Sequence, residues 1–189
     1  MSGKCNETAE CTDQSDENYC EYMNLDNDLY RGKYPPSLDR TDLTKVLIHM
    51  RISTIMAIEE IEMQYKAKIA ITMKWFDKRI TFHDLRESQL NIISGLNLDL
   101  VWEPTSVFNN SVDNIQVVID KKSVLSVIRK GNKTLNDLSE INEGFDYRGA
   151  ENPFELLNEY SLTLSCGFKL KNYPFDKQIC SIEVRVFGI

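Results

Sequence analysis

Apolar and polar residues alternate along several stretches of the chain, most regularly between positions 63 and 75. The odd positions of this stretch are apolar and the even positions are mostly polar; the apolar set is Met63, Tyr65, Ala67, Ile69, Ile71, Met73 and Trp75. Alternation with a period of two predicts a β-strand that buries one face. Because a slip of one residue would bury three lysines, the pattern also defines the register of this strand.

Strand-like sequence appears on both sides of this stretch. Residues 46–52 carry apolar side chains on the even positions and polar ones on two of the odd positions. Further strands are predicted at 115–119, 123–129, 160–170 and 182–186. Repeated strands of this kind predict an all-β domain.

Two segments depart from the strand pattern. Residues 22–31 are predicted to form a short helix, which Gly32 and the run Tyr34-Pro35-Pro36 bring to an end. Residues 132–155 are polar and carry several glycine and proline breaks, so a surface insertion is predicted there.

Composition and charge narrow the class of protein. With 189 residues, 42% hydrophobic and 27% charged, the chain has the profile of a globular domain with an appendage. The net charge of -7 argues against nucleic acid as a partner, because phosphate binding needs a basic face. The sequence contains no run of about eighteen apolar residues that would predict a membrane-spanning helix, and its N-terminus lacks the basic and apolar regions of a signal peptide. We therefore expect a mature or truncated piece of a longer protein.

Catalysis is not expected. His49 and His83 are the only residues with a near-neutral side-chain base, and neither adjoins a nucleophile motif. The sequence has no glycine-rich phosphate loop and no cysteine and histidine spacing typical of zinc sites. The prediction is a binding protein rather than an enzyme, without a catalytic cofactor.

Cysteines and sequons indicate an oxidising, extracellular setting. Cys166 and Cys180 stand fourteen positions apart, and a disulfide between them would stabilise the fold by roughly 3 kcal/mol. The chain has five cysteines, so at least one is unpaired or bonded to another chain. Three sequons offer sites for N-glycosylation, at Asn6, Asn109 and Asn132.

The segment between Cys166 and Cys180 contains the run Tyr173-Pro174-Phe175-Asp176. With this core the loop resembles the signature loop of the Cys-loop receptors, the pentameric ligand-gated ion channels. The runs Trp75-Phe76-Asp77-Lys78-Arg79 and Trp102-Glu103-Pro104 are similar to further segments of that family. The resemblance implies that residues 22–189 form an extracellular domain with an immunoglobulin-like β-sandwich and a short N-terminal helix, incomplete because its last strands are absent.

The resemblance also implies a ligand site between neighbouring subunits of a pentamer, so that four further subunits are the expected partners. The corresponding positions are Phe187, Asn109, Ala70, Thr72 and Lys74. Two of the three expected aromatic rings are absent, because Asn109 and Ala70 stand in their places, and Lys74 would repel a cation. A choline-like agonist is therefore not expected; an anionic ligand, a neutral ligand and no ligand all remain open.

A second implied feature is a contact with a channel's transmembrane helices, which are absent from this sequence. The turn Glu59-Glu60 and the loop tip Tyr173, Pro174, Phe175 and Asp176 would transmit ligand binding to the pore at the extracellular face of the plasma membrane. A solvated turn at Glu59-Glu60 is the simpler interpretation. The alternative function is a soluble, secreted pentameric binding protein of the same fold.

Residues 1–21 form a separate, cysteine-rich and acidic segment. It resembles the C-terminal half of a low-density-lipoprotein receptor type A module, which implies a Cys5–Cys20 disulfide and leaves Cys11 without its partner. Glu10, Asp16 and Glu17 would then be carboxylate ligands of a structural calcium ion. The alternatives are a small disulfide-tied cap without metal, and an assembly module in which Cys11 links two chains.

Overall fold

A computed structural model describes residues 23–25, 30, 32–36, 43–87, 91–93, 100–112, 124–132, 134–135, 145–173 and 175–187. Within these ranges the chain is built of strands joined by turns and loops, with a 3-10 turn at Leu170–Asn172 and no α-helix. The predicted all-β class is confirmed. The strands, in chain order, are β1 (Met23–Asn24), β2 (Leu47–Glu59), β3 (Gln64–Trp75), β4 (Thr81–His83), β5 (Asn91–Ile92), β6 (Thr105–Phe108), β7 (Val124–Val127), β8 (Thr134–Leu135), β9 (Phe145–Arg148), β10 (Phe154–Ser165) and β11 (Val184–Phe187).

The helix predicted at residues 22–31 is not found in the described part of that segment. Met23 and Asn24 form β1 instead and pair with Phe82 and Thr81 of β4. Met23 is buried, with 5% of its surface exposed. Pairing with a sheet edge satisfies the backbone polar groups of this segment and buries Met23, and tertiary contacts of this kind override local helix propensity.

The chain divides into two compact units. Unit 1 contains residues 1–45, 74–103 and 124–155, and unit 2 contains residues 46–73, 104–123 and 156–189. The predicted boundary between residues 1–21 and 22–189 falls outside the described residues.

Unit 1 contains an antiparallel sheet of four strands in the order β1-β4-β9-β8 and a pair formed by β5 and β7. Its core is aromatic. Trp75 stacks on Phe154 with ring centroids 5.4 Å apart and meets the edge of Trp102 at 5.8 Å, and Phe82 also packs on Phe154 at 5.2 Å. Burying these four rings contributes to the hydrophobic stabilisation of this unit.

The surface insertion predicted at residues 132–155 is wrong in its described part. Residues 134–135 and 145–148 form β8 and β9, and β10 begins at Phe154. Tyr147 and Phe154 are almost fully buried. Single aromatic residues within an otherwise polar stretch provide the core contacts of these short strands. Strands this short show no sustained alternation of apolar and polar residues, so the sequence pattern does not reveal them.

A buried carboxylate organises the turn that follows β3. Asp77 is fully buried and accepts hydrogen bonds from Arg79 Nε at 2.9 Å, Arg79 Nη2 at 2.8 Å and the Tyr30 hydroxyl at 3.1 Å. The guanidinium of Arg79 also lies 4.6 Å from the centre of the Tyr30 ring. A Cβ atom at Gly149 would lie 2.2 Å from the Asp77 carbonyl oxygen, so only glycine fits there.

Tyr30 gives this cluster a testable pH dependence. Burial raises the pKa of Tyr30 from 10.0 to about 12. A raised pKa in the folded state means that the stability contribution is complete below pH 10 and is lost as the pH rises through about 12. Tyr30→Phe removes this titration, so the free energy of unfolding of the variant should fall less steeply than that of the wild type over this interval. Urea unfolding at several pH values measures both slopes, and equal slopes would contradict the assignment.

Unit 2 contains a sheet in the order β2-β3-β10 and an antiparallel pair formed by β6 and β11. The odd positions of β3 from Tyr65 to Met73 are buried, as the alternation predicts, and so are the even positions of β10 from Leu156 to Leu164. Met63, which the same pattern placed on the buried face, lies in the turn before β3 and is 42% exposed. The Phe108 ring of β6 packs edge-on against Tyr160 of β10, with centroids 5.1 Å apart. The unit therefore has two layers of strands around this core.

Strand β2 differs from its prediction. The even-position residues of β2 that were expected to face a core are 41% to 51% exposed; they are Ile48, Met50 and Ile52. The alternation correctly predicts a strand, but burial depends on a second layer above it. In unit 2 the described second layer packs on β10 through Phe108 and Tyr160, and no described residue covers this face of β2.

Candidate functional site

The disulfide between Cys166 and Cys180 is formed, with the two Cα atoms 5.4 Å apart. Cys166 is buried directly after β10, and Cys180 is half-buried four residues before β11. Below the bridge, Lys169 N donates a hydrogen bond to Gln178 Oε1 at 2.9 Å, and Gln178 Nε2 donates back to Lys169 O at 3.1 Å. The neck of the loop is therefore held by one covalent bond and two hydrogen bonds.

The far end of this loop presents apolar side chains to solvent. Tyr173 is 66% exposed and Phe175 94%. Ile179, which adjoins Cys180 at the neck, is also exposed. Asp176 hydrogen-bonds to Gln178, which fixes its side chain beside the neck. Pro174 lies outside the described residues. Apolar side chains this exposed at the end of a constrained loop are typical of a contact surface for a second domain or molecule.

The turn between β2 and β3 lies against the base of the same loop. Cys166 N donates a hydrogen bond to Met63 O at 2.8 Å, and the Tyr65 hydroxyl donates to Ser181 O at 3.2 Å. Met63 adopts a left-handed conformation, with φ of 55°, which is unusual for a side chain of this size. The structure thus brings the predicted coupling residues Glu59 and Glu60 to the end of unit 2 that carries the disulfide loop.

The two glutamates of this turn differ in their surroundings. Glu59 forms an ion pair with Lys66 at 2.9 Å and accepts a hydrogen bond from Gln64 at 3.0 Å. The Lys66 hydrogen bond lowers the pKa of Glu59, so this side chain stays ionised within its own hairpin. Glu60 is exposed and is the more available of the two for an external partner.

A second surface of unit 2 is the outer face of the pair formed by β6 and β11. Residues directly opposite one another share a face, and Phe187 is opposite Thr105 while Arg185 is opposite Val107. The guanidinium of Arg185 lies 6.0 Å from the centre of the Phe187 ring. Asn109 continues this face beyond Val107, four residues or roughly 13 Å along the strand from Thr105.

The predicted ligand positions on β3 fall in different surroundings. Ala70 is only 5% exposed although it lies on the polar side of the alternation, and Thr72 is half-buried. In unit 1, Lys74 forms an ion pair with Glu155 of β10. Because Glu155 neutralises the charge of Lys74, the predicted repulsion of a cationic ligand by Lys74 is weakened. The roles of these residues stay predictions.

Sequence reasoning missed Asn110. Its side-chain nitrogen donates to Ser181 O at 2.9 Å and to Ser165 O at 3.4 Å, and its oxygen accepts from Glu183 N at 3.0 Å. One side chain therefore joins the turn after β6 to the residues on both sides of the disulfide loop. The signal in the sequence is an asparagine in a turn, where its amide often bonds to backbone.

Several predicted sites fall outside the described residues. They are Asn6, the cysteines Cys5, Cys11 and Cys20, and the calcium ligands Glu10, Asp16 and Glu17. The described residues hold no group of three histidine, cysteine, aspartate or glutamate side chains that could bind a metal ion. The other two sequon asparagines, Asn109 and Asn132, are described and exposed. The calcium site and the glycans stay predictions.

The strands, the disulfide loop and the β2–β3 turn agree with a match to a known protein family. The family model for the neurotransmitter-gated ion-channel ligand binding domain matches residues 21–137, and the chain belongs to this family. It is a receptor domain and not an enzyme. No helix within the described ranges has the length and apolar character needed to cross a membrane.

Among curated proteins, the chain is similar to a glutamate-gated chloride channel of Drosophila melanogaster. The two are 27% identical over 170 residues, which cover 87% of this chain and 33% of the channel. The chain therefore spans about a third of the length of this relative.

Proposed function

We propose that this chain is the extracellular ligand-binding domain of one subunit of a pentameric ligand-gated ion channel. Four further subunits complete the ring, and the disulfide loop transmits ligand binding to a transmembrane pore. One observation carries the proposal: the loop and the β2–β3 turn are joined at their bases, through Cys166 N and Met63 O at 2.8 Å, while Phe175 at the loop tip is exposed.

This junction suits the transmission of a displacement. The disulfide and the two Lys169–Gln178 hydrogen bonds keep the loop from deforming by itself. Asn110 connects the residues before and after the loop to the turn that follows β6. A shift of the β6–β11 pair would therefore move the loop tip as a unit, and a gate that contacts the tip would be biased by that movement.

The outer face of β6 and β11 supports an anionic ligand. A cationic ligand needs a free aromatic face, whereas the Phe187 ring has the Arg185 guanidinium 6.0 Å from its centre. An exposed guanidinium binds carboxylates through paired charge-assisted hydrogen bonds. The similar Drosophila melanogaster channel is gated by glutamate. We propose an acidic amino acid as the ligand and L-glutamate as the first compound to test.

Voltage clamp of cells that express the full-length protein tests the proposed function. The expected result is a current evoked by L-glutamate, from a protein that remains in the membrane pellet after alkaline extraction. Recovery of the full-length protein as a soluble, secreted oligomer would contradict a channel and support the alternative of a soluble binding protein.

Arg185→Gln tests the proposed ligand class. Loss of a charge-assisted contact worth about 1.5–3 kcal/mol should raise the half-maximal glutamate concentration about tenfold to a hundredfold. Arg148→Gln removes an exposed arginine from β9 in unit 1 and is the matched control, with wild-type sensitivity expected. Unchanged sensitivity in Arg185→Gln would exclude this residue from the ligand site.

A further inference from the structure

Asn109 is both a candidate glycosylation site and a residue of the outer face of β6 and β11, where the ligand is proposed to bind. It is the first residue of the sequon Asn109-Asn110-Ser111, and it lies on the outer face that carries Phe187 and Arg185. An asparagine that bears an oligosaccharide cannot also line an open pocket for a small ligand. The geometry of the turn after β6 shows which way such a modification would project.

The side chain of Asn109 points outward. Alternation along β6 buries Ser106 and Phe108 and leaves Thr105 exposed and Val107 half-buried; the next outward position is Asn109, which is exposed. Its backbone nitrogen donates to Glu183 O at 2.8 Å, which extends the pairing of β6 with β11 by one residue. The backbone of Asn109 is therefore held in place, and a group attached to its side chain would extend over the outer face.

The next two residues hold this turn in place. Asn110 forms the three hydrogen bonds described above, and Ser111 N donates to Phe108 O at 3.3 Å to close the turn. The hydroxyl of Ser111 donates to Thr163 O of β10 at 3.4 Å and is half-buried. Asn109 is thus the one member of the sequon whose side chain is fully presented to solvent.

We propose that Asn109 carries an N-linked oligosaccharide that covers the outer face of β6 and β11 and limits access to Phe187 and Arg185. The regulatory part of this proposal rests on the proposed function, which places the ligand on this face. Asn109 and Phe187 are separated by roughly 13 Å along the strands, a distance that a few linked sugars span. The glycan would exclude large molecules from the face and leave it accessible to small ones.

The modification is a glycosyl transfer. The Asn109 side-chain nitrogen forms a bond to the anomeric carbon of an oligosaccharide held on a polyprenyl pyrophosphate, the bond from that carbon to the pyrophosphate oxygen breaks, and the amide proton leaves with a base of the transferase. In the folded domain the Ser111 hydroxyl faces the backbone of β10.

Asn132 provides an internal comparison. It is exposed, lies in unit 1 and lines a shallow surface hollow with Glu87, Arg129 and Lys130. Asn132→Gln is therefore the matched control for Asn109→Gln, because both variants remove one sequon at an exposed asparagine.

Gel mobility of the full-length protein from a secretory eukaryotic host tests the modification. Asn109→Gln should migrate faster than the wild type by one glycan, and this difference should vanish after treatment with peptide-N-glycosidase. Ser111→Thr keeps the sequon and should migrate with the wild type. Equal mobility of Asn109→Gln and the wild type before treatment would show that Asn109 is unmodified and would overturn the proposal.

Thiol labelling tests the shielding. Thr105→Cys places a thiol opposite Phe187, and the same protein without this substitution gives the background. A polymer-linked maleimide should label this cysteine several-fold faster when Asn109→Gln is added, whereas Asn132→Gln should have no effect and N-ethylmaleimide should label all variants alike. Equal polymer rates with and without Asn109→Gln would overturn the shielding. Neither readout uses a ligand, so both can fail while the glutamate response stands.

Discussion

Replacing Cys166 and Cys180 together with serine is expected to lower the free energy of unfolding by about 3 kcal/mol. The bridge closes a segment with a sequence separation of 14 and chiefly restricts the unfolded chain. It also joins the end of β10 to the segment that leads into β11, so its loss releases two core elements of unit 2 from each other. Chemical denaturation of the purified ectodomain measures the change in stability, and the yield of assembled protein at the cell surface measures its consequence.

The double substitution avoids a free thiol, which the single variants Cys166→Ser and Cys180→Ser would leave. The hydrogen bonds between Lys169 and Gln178 at the neck of the loop do not involve the cysteines and should remain in the double variant. Gln178→Ala in the disulfide-bonded protein is the matched control, for which a loss of about 1 kcal/mol or less is expected. Normal stability and normal surface yield of the double variant would contradict a structural role for the bridge.

Asp77→Ala is expected to destabilise the chain by about 3–5 kcal/mol. Asp77 is fully buried, and the Arg79 side chain that pairs with it is only 16% exposed. Removing the carboxylate leaves a largely buried guanidinium without its counter-ion and leaves the Tyr30 hydroxyl without its acceptor. Thermal and denaturant unfolding of the variant measure the loss.

Arg79→Met combined with Asp77→Ala separates the charge effect from simple loss of contacts. If the unpaired guanidinium causes most of the damage, the double variant should be more stable than Asp77→Ala alone, because removing both charges is far less costly than removing one. A double variant that loses the sum of both single effects would show that the pair does not act as a unit.

The alternation in β3 and the cysteine spacing were sufficient to predict two central features. The odd positions from Tyr65 to Trp75 are buried, and Cys166 and Cys180 are bonded. Both predictions depend on local sequence: a period of two defines the faces of a strand, and a short loop keeps its two cysteines within reach of each other.

Features that depend on distant partners were not predictable in the same way. The exposure of Ile48 and Met50 on β2 reflects what lies above the strand and not its own pattern. Lys74 appears as an outward-facing charge in the sequence, and its partner Glu155 lies 81 positions away. Contacts over such separations are set by topology, on which the periodicity of a single segment carries no information.

The sequence predicted part of the candidate site. The exposed loop tip and the adjoining turn at Glu59 and Glu60 follow from resemblance to the family, and the structure places both at one end of unit 2. The hydrogen bonds of Asn110 could not be predicted from the sequence. Its three partners are Ser165 at the end of β10 and Ser181 and Glu183 just before β11, and these lie on opposite sides of the disulfide loop. Its amide is satisfied only when those segments have come together.

Transmission through the loop tip is tested most directly by measuring glutamate binding and glutamate-evoked current side by side in Phe175→Ala. Coupling free energies of 1–3 kcal/mol are typical, so the current response should shift to about fivefold or more higher glutamate concentration. Intrinsic glutamate affinity should stay unchanged, because Phe175 lies at the loop tip and not on the ligand face. Phe76→Ala, at an exposed phenylalanine of unit 1, should alter neither. A Phe175→Ala receptor with wild-type binding and wild-type current would contradict transmission through this loop.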